Sequence, residues 1–241
     1  MTESESLKRI IKVCMFDQYG TVVDMQTGLW EVAVDFLKAK GWHGNAYEFV
    51  TWWRRTHFEN SMIDALLHRE HTSYREIGHL SVRHVLNRAR IEHTEDEVRW
   101  LVSCIERLKC FPEVPAALAR LQTKYKLAVL SNGDPDMLEA AKKFHGIAFD
   151  AVISVAEANA FKPHRATYEM AARKMGVAID QVLFVANHEF DCVGAKGAGM
   201  HVAFIDRRRR PFAGWAHQPD LILGSMTALA DTLVGGDRIA I

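Results

Sequence analysis

The sequence of 241 residues lacks a net charge, because 30 Lys and Arg residues balance 30 Asp and Glu residues. A neutral chain gives no electrostatic reason to expect nucleic acid, a membrane surface or a polyanion as a partner. It contains no apolar run of the roughly 18 residues that a membrane-spanning helix needs. The first residues, MTESESLKRI, are polar and acidic, so we do not expect a signal peptide there.

Cysteine is also scarce in this sequence. None of its cysteines forms a CxxC pair, which argues against a disulfide framework and makes structural zinc the weaker alternative. We therefore expect reduced thiols in a cytoplasmic protein. The residues concerned are Cys14, Cys104, Cys110 and Cys192.

Three stretches that superficially suggest binding motifs are interpreted as structural. HREH at 68–71 lacks the helical spacing that places two histidines on one face, so we expect no metal site there. GAKGAG at 194–199 lacks the spacing of a dinucleotide fingerprint and predicts a helix of small residues that ends on glycine. DRRRR at 206–210 is too short, in a neutral chain, to indicate nucleic-acid binding, and predicts a solvated loop.

Hydrophobic residues, by contrast, make up 49% of the chain and recur in short runs rich in Val, Ile and Phe. Near-continuous runs of this kind predict strands buried on both faces of a parallel sheet. Helical patterns such as DMLEAAKKFHG and RATYEMAARKMGV separate the later runs, which indicates a Rossmann-like open α/β sheet with right-handed crossovers. The six runs are RIIKVCMFD, YKLAVLSNGD, FDAVISVAE, QVLFVANHE, MHVAFIDRR and the weaker DLILGS.

One long stretch breaks this alternation. From about Gly28 to Lys109 the sequence shows helical periodicity without an intervening strand pattern. We therefore predict a helical cap inserted after the first strand. The expected division is a core domain formed by residues 1–24 and 110–241, with the cap at 25–109.

Polar side chains follow several of the predicted strands. Asp17 ends the first run, Ser131 and Asn132 end the second, and residues 187–191 follow a later one. Lys162 comes shortly after the FDAVISVAE run. Ligands of open parallel sheets bind beyond the carboxyl ends of the strands, so these groups are expected to converge on one site.

The same segments resemble the four motifs of the haloacid dehalogenase superfamily, in order and in spacing. FDQYGT is similar to the first motif, VLSNGD to the second, FKPHRATY to the third and FVANHEFD to the fourth. The resemblance covers nearly the whole chain, and the predicted helical insertion lies where this superfamily carries its cap.

Tyr19 indicates the subgroup. Phosphatases of the superfamily carry a second aspartate at this position, and a tyrosine is a poor substitute for that acid at neutral pH. The place of their metal-binding acid in the fourth motif is taken by the neutral Asn187, which weakens a magnesium site. The combination resembles the L-2-haloacid dehalogenases, which need neither a metal nor another cofactor.

The resemblance implies a chemistry for five residues. Asp17 would be the nucleophile that displaces halide from a 2-haloacid, and water would then hydrolyse the ester to an inverted 2-hydroxy acid. Lys162 would keep Asp17 ionised. Thr21 and Ser131 would orient carboxylate oxygens, and Asp191 would position Lys162 or the water.

The resemblance also implies a set of substrate-binding residues. Arg54, with Arg55 as the alternative, would bind the carboxylate of the haloacid through two hydrogen bonds. Aromatic walls are expected from three residues and further contacts from four polar ones. These are Tyr19, Phe58 and Phe190 for the walls, and Asn132, Tyr168, Asn187 and His188 for the contacts.

The fourth motif departs from the family pattern at two positions. Ala186 stands where the family has a serine, and His188 stands where it has an asparagine. The bulkier His188 is expected to narrow the pocket and to favour haloacetates over longer 2-haloacids. Two alternatives remain: another hydrolase of the superfamily such as a small-molecule phosphatase, and a non-catalytic member that binds a small carboxylate or a protein. The aromatic-rich insertion is compatible with a homodimer.

Overall fold

The computed structural model describes residues 3–67 and 70–235. Two residues of the HREH stretch, His68 and Arg69, lie outside the described residues, so the prediction about that stretch is not tested. No helix within the described ranges is both long and apolar enough to cross a membrane.

The core is a parallel sheet of six strands in the order β3-β2-β1-β4-β5-β6. This confirms the predicted α/β class, and each of the six hydrophobic runs contains one strand. β1 lies between β2 and β4 and is completely buried, as the continuous hydrophobicity of its run requires. The strands are β1 (Val13–Phe16), β2 (Lys126–Ser131), β3 (Ala151–Ser154), β4 (Val182–Ala186), β5 (His201–Ile205) and β6 (Leu221–Leu223).

Helices connect these strands, and five of them lie between β1 and β2. Glycines in the left-handed conformation end two helices of the core, at Gly146 with φ of 65° and at Gly199 with φ of 106°. The GAKGAG stretch therefore closes a helix, as predicted. The helices are α1 (Glu3–Ile10), α2 (Met25–Ala39), α3 (Ala46–Leu66), α4 (Tyr74–Arg88), α5 (Glu95–Ser103), α6 (Val114–Leu121), α7 (Pro135–His145), α8 (Arg165–Lys174), α9 (Glu189–Ala198) and α10 (Met226–Val234).

The inserted helices α2 to α5 share a hydrophobic interior with the sheet. Phe49 and Trp53 of α3 and Leu86 of α4 are fully buried. The carboxylate of Asp134, which follows β2, accepts hydrogen bonds from the backbone N–H groups of Tyr74 at 2.8 Å and Arg75 at 2.9 Å. An acid at the N-terminus of a helix satisfies its free N–H groups and interacts favourably with its dipole. Asp134 thereby fixes the start of α4 over the carboxyl edge of the sheet.

Candidate active site

Asp17 lies at the carboxyl edge of the sheet, directly after β1. Its backbone N–H donates to the carbonyl of Val185 in β4 at 3.0 Å, so the register of the sheet extends to this residue. The turn that follows requires Gly20, whose φ is 92°. A Cβ atom at Gly20 would lie 2.8 Å from Cε1 of His188, so the glycine also makes room for that ring.

Lys162 connects the two acids of the site. Its Nζ donates to Oδ1 of Asp17 at 2.9 Å, to Oδ2 of Asp191 at 2.6 Å and to the carbonyl of Leu130 at 3.0 Å. These bonds use all three donors of the ammonium group. Since Lys162 is only 1% exposed, its charge acts at close range and with little screening.

The two acids respond differently to this environment. Burial opposes the ionisation of Asp17, but the Lys162 ammonium and the neighbouring His188 outweigh it and hold the pKa of Asp17 well below its usual range. Burial raises the pKa of Asp191, although Lys162 acts in the opposite direction. Burial lowers the pKa of Lys162, but the two neighbouring carboxylates raise it above its ordinary value overall. Asp17 is thus available as an ionised oxygen nucleophile at neutral pH.

Thr21 and His188 approach the second oxygen of Asp17. The hydroxyl of Thr21 donates to Oδ2 of Asp17 at 2.7 Å and accepts the backbone N–H of Asn187 at 2.9 Å. Nδ1 of His188 lies 3.5 Å from the same Oδ2. Asp17 is therefore oriented by Lys162 on one oxygen and by Thr21 on the other.

Two predicted contact residues lie beside the cavity rather than in its lining. Tyr168 is fully buried, and its hydroxyl donates to Oδ1 of Asp191 at 2.6 Å. Tyr168 therefore supports Asp191 through this hydrogen bond, whereas the sequence predicted that it would contact the substrate. The side chain of Asn187 donates to the carbonyl of Ile205 at 2.7 Å and lines a neighbouring cavity of about 710 Å³. Its amide is thus engaged by the end of β5.

The turn after β2 differs in part from the prediction. The hydroxyl of Ser131 accepts the backbone N–H of Gly133 at 3.2 Å, so Ser131 stabilises its own turn. Among the residues that the structure describes, Asp17 receives side-chain hydrogen bonds from Lys162 and Thr21 but none from Ser131. Asn132 lines the cavity over Asp17, and its Oδ1 accepts the backbone N–H of Lys162 at 3.0 Å.

A cavity of about 690 Å³ opens above Asp17, between the sheet edge and the inserted helices. Arg54 of α3 lies in its wall, half-buried, and Nη1 donates to Oε1 of Gln26 at 2.7 Å. Burial, and then the charge of Arg208, lower the pKa of Arg54, but a guanidinium remains charged in proteins. Arg55 also borders the cavity, but its side chain is 77% exposed and lies 3.4 Å from Glu59. Of the two arginines, Arg54 is thus the less exposed cation in the cavity wall.

Aromatic rings form the rest of the wall. Tyr19 stacks on Tyr74 with centroids 5.4 Å apart and ring planes at 8°, and Phe58 lies 4.5 Å from Phe190. Burial raises the pKa of Tyr19 well above its ordinary value, so its phenol is neutral and a poor proton donor. Tyr74 was not predicted, because it lies in the insertion and only the fold brings it over Asp17.

Comparisons with known proteins agree with this geometry. The family model of the haloacid dehalogenase-like hydrolases matches residues 11–199. An (S)-2-haloacid dehalogenase of Xanthobacter autotrophicus is 33% identical over 82% of this chain and 76% of its own length. Haloacetate dehalogenase H-2 of Moraxella sp. (strain B) is 29% identical over 91% of this chain and 96% of its own.

A solved structure shows the same architecture. It is that of the L-2-haloacid dehalogenase from Xanthobacter autotrophicus with chloropropionic acid covalently bound. It superposes with a TM-score of 0.83 at 28% identity, covering 94% of this chain and 100% of that one.

Proposed function

Because this chain belongs to the haloacid dehalogenase-like hydrolases, we propose that it is a hydrolytic dehalogenase that converts a short 2-haloacid to a 2-hydroxy acid. One observation carries the proposal: an ionised Asp17 lies at the base of a cavity whose wall holds the cation Arg54. A 2-haloacid has an anionic carboxylate and an electrophilic carbon on adjacent atoms. The cavity offers a matching cation and nucleophile.

The first step forms an ester on Asp17. An oxygen of Asp17 attacks the carbon that bears the halogen, a C–O bond forms, and the halide leaves with the electron pair of the broken bond. Arg54 holds the substrate carboxylate so that the rear of this carbon faces Asp17. The aromatic rings of Tyr19, Phe58 and Phe190 exclude water and leave Asp17 more reactive than a hydrated carboxylate.

The second step hydrolyses this ester. Water attacks the carbonyl carbon of Asp17, the 2-hydroxy acid leaves, and the carboxylate is regenerated with one oxygen from water. Lys162 acts as a positioning residue that keeps Asp17 ionised and fixed, and Asp191 and Tyr168 hold Lys162 in place. The substitution at carbon proceeds once, from the rear, so an inverted product is expected.

The same contacts support metal-independent catalysis. Lys162 and Thr21 occupy the two oxygens of Asp17, and the amide of Asn187 is bound to Ile205. Magnesium prefers anionic oxygens with room for octahedral coordination. The groups around Asp17 therefore match a magnesium site poorly. This favours carbon displacement over the phosphatase alternative. The intact set of charged contacts also argues against a non-catalytic protein.

Halide release tests the proposal directly. We expect halide from chloroacetate and from 2-chloropropionate, at the same rate with and without a strong chelator such as EDTA. No halide from either substrate would reject the dehalogenase assignment and leave the family assignment alone. Release of phosphate from a generic phosphate ester, restored by magnesium after chelation, would favour the phosphatase alternative.

Chain length is expected to affect the rate strongly. The ring of His188 lies between Gly20 and Phe190, next to Asp17, and limits the space around the carbon under attack. We expect kcat/KM for chloroacetate to exceed that for 2-chlorobutyrate by about tenfold or more, since a poorly accommodated methylene costs 10- to 200-fold. Equal halide release from the two acids would contradict this expectation.

We also propose that residues 25–109 act as a cap over a core formed by residues 1–24 and 110–241. Asp134 and the two stacked tyrosines support a closed arrangement of the two parts. A homodimer through exposed aromatic residues of the insertion, such as Trp30 and Trp100, stays a prediction, as does the cytoplasmic location.

A further inference from the structure

The imidazole ring of His188 lies beside the nucleophile. Nδ1 lies 3.5 Å from Oδ2 of Asp17, the side chain is 24% exposed, and the ring lines both cavities. His188 precedes α9 at its N-cap position, but its side chain makes no capping hydrogen bond. The imidazole is therefore available to a water molecule that approaches Asp17 from the cavity.

The groups that orient Asp17 are poorly suited to accept a proton from this water. Lys162 is an ammonium ion whose three donors are all used. The hydroxyl of Thr21 already donates to Asp17 and accepts from Asn187. Asp191 is completely buried, and its two oxygens accept from Lys162 and Tyr168. Ala186 offers only a methyl group.

The remaining polar groups of the cavity wall are equally unsuited. Burial keeps Tyr19 a neutral phenol, and Arg54 is a cation without a lone pair. Burial lowers the pKa of His57 to about 3, which makes it a weak base, and both its ring nitrogens are buried. Among the described residues that line the cavity next to Asp17, His188 is the group that can both reach a water and accept its proton.

We propose that His188 is the general base of the second step and activates the water that hydrolyses the ester on Asp17. As the oxygen of water bonds to the carbonyl carbon, one proton passes to the imidazole. The ester C–O bond then breaks, and the imidazolium gives this proton to the departing alkoxide of the 2-hydroxy acid. The second proton of the water leaves to solvent when the new carboxyl group of Asp17 ionises. This inference rests on the proposed function, because it needs the ester.

A rapid-quench measurement on His188→Gln separates the two steps. Glutamine keeps a hydrogen-bonding side chain but cannot act as a base at neutral pH. With chloroacetate we expect a burst of halide equal to the enzyme concentration, followed by a steady-state rate lowered about 100-fold or more, the usual contribution of a general base. Mass spectrometry of the quenched variant is expected to find a carboxymethyl group on the peptide that contains Asp17. Free imidazole should partly restore turnover of His188→Ala.

The controls distinguish this inference from the proposed function. His43→Gln, an exposed histidine in the loop before α3, should behave as wild type. Steady-state turnover of His188→Gln equal to wild type would overturn the role of His188. A burst of halide that falls by the same factor as the steady-state rate would also overturn this role, because His188 would then act in the first step or in folding. Absence of halide from wild type would instead reject the proposed function.

Discussion

Asp17→Asn is expected to lower halide release from chloroacetate by on the order of 10⁴-fold or more, to the residual rate that binding alone provides. The carboxamide is neutral and a weak nucleophile, so the carbon–halogen bond has no partner for displacement. Folding should survive, because Lys162 retains its hydrogen bonds to Asp191 and to the carbonyl of Leu130. Halide release together with thermal unfolding checks both expectations.

Asp35→Asn is the matched control, since Asp35 is an exposed acid of α2 that faces solvent. It should retain the wild-type rate. A single turnover of wild type in water labelled with heavy oxygen should place the label in Asp17, because the hydrolytic water attacks the carbonyl carbon of this residue. Label found only in the hydroxyl of the product, with Asp17→Asn still active, would mean that water attacks the substrate directly.

Much of the core followed from local patterns in the sequence. The run around β1 is hydrophobic without interruption because both faces of the strand are buried, and it ends at the residue that begins the site. Asp17 could be predicted because a carboxyl edge gathers the ends of parallel strands. α1 and α10 were not predicted, since α1 is polar in composition and α10 follows the weakest strand run.

The wall of the site was harder to predict, for a physical reason. Tyr74 contacts Tyr19 because Asp134 fixes the start of α4, and Tyr74 and Asp134 are 60 positions apart in the sequence. Tyr168 and Asn187 were expected to contact the substrate, but their side chains bind Asp191 and Ile205. Residue type and spacing predict proximity, whereas the direction of a side chain depends on packing across distant elements.

Lys162→Met is expected to lower both activity and the free energy of unfolding. Removing the cation leaves Asp17 and Asp191 buried close together without a counter-charge, and breaking a buried ion pair in this way costs about 3–5 kcal/mol. Burial then dominates at Asp17, so its pKa is expected to rise and its reactive form to become scarce at neutral pH. Lys143→Met, an exposed lysine of α7, should match wild type in both measurements.

The pH dependence of stability should differ in sign between wild type and Lys162→Met. In wild type the pKa of Asp17 is depressed by folding, so its contribution to stability is present above the unfolded value of about 3.9 and is lost as pH falls towards the folded value. In Lys162→Met a raised pKa means that ionisation opposes folding. The variant should therefore gain stability on acidification from about pH 8 to pH 4, while its activity falls.

Asp191→Asn in the Lys162→Met background tests whether repulsion between the two carboxylates causes the loss of stability in Lys162→Met. With one of the two carboxylates made neutral, part of the stability should return, whereas activity should stay low because Lys162 is still absent. Unfolding by denaturant at several pH values, paired with halide release, measures both quantities. If Lys162→Met were as stable as wild type at pH 8 and insensitive to acidification, the contacts between Lys162 and the two acids would not control the charge of Asp17. The account of how the nucleophile stays ionised would then be wrong.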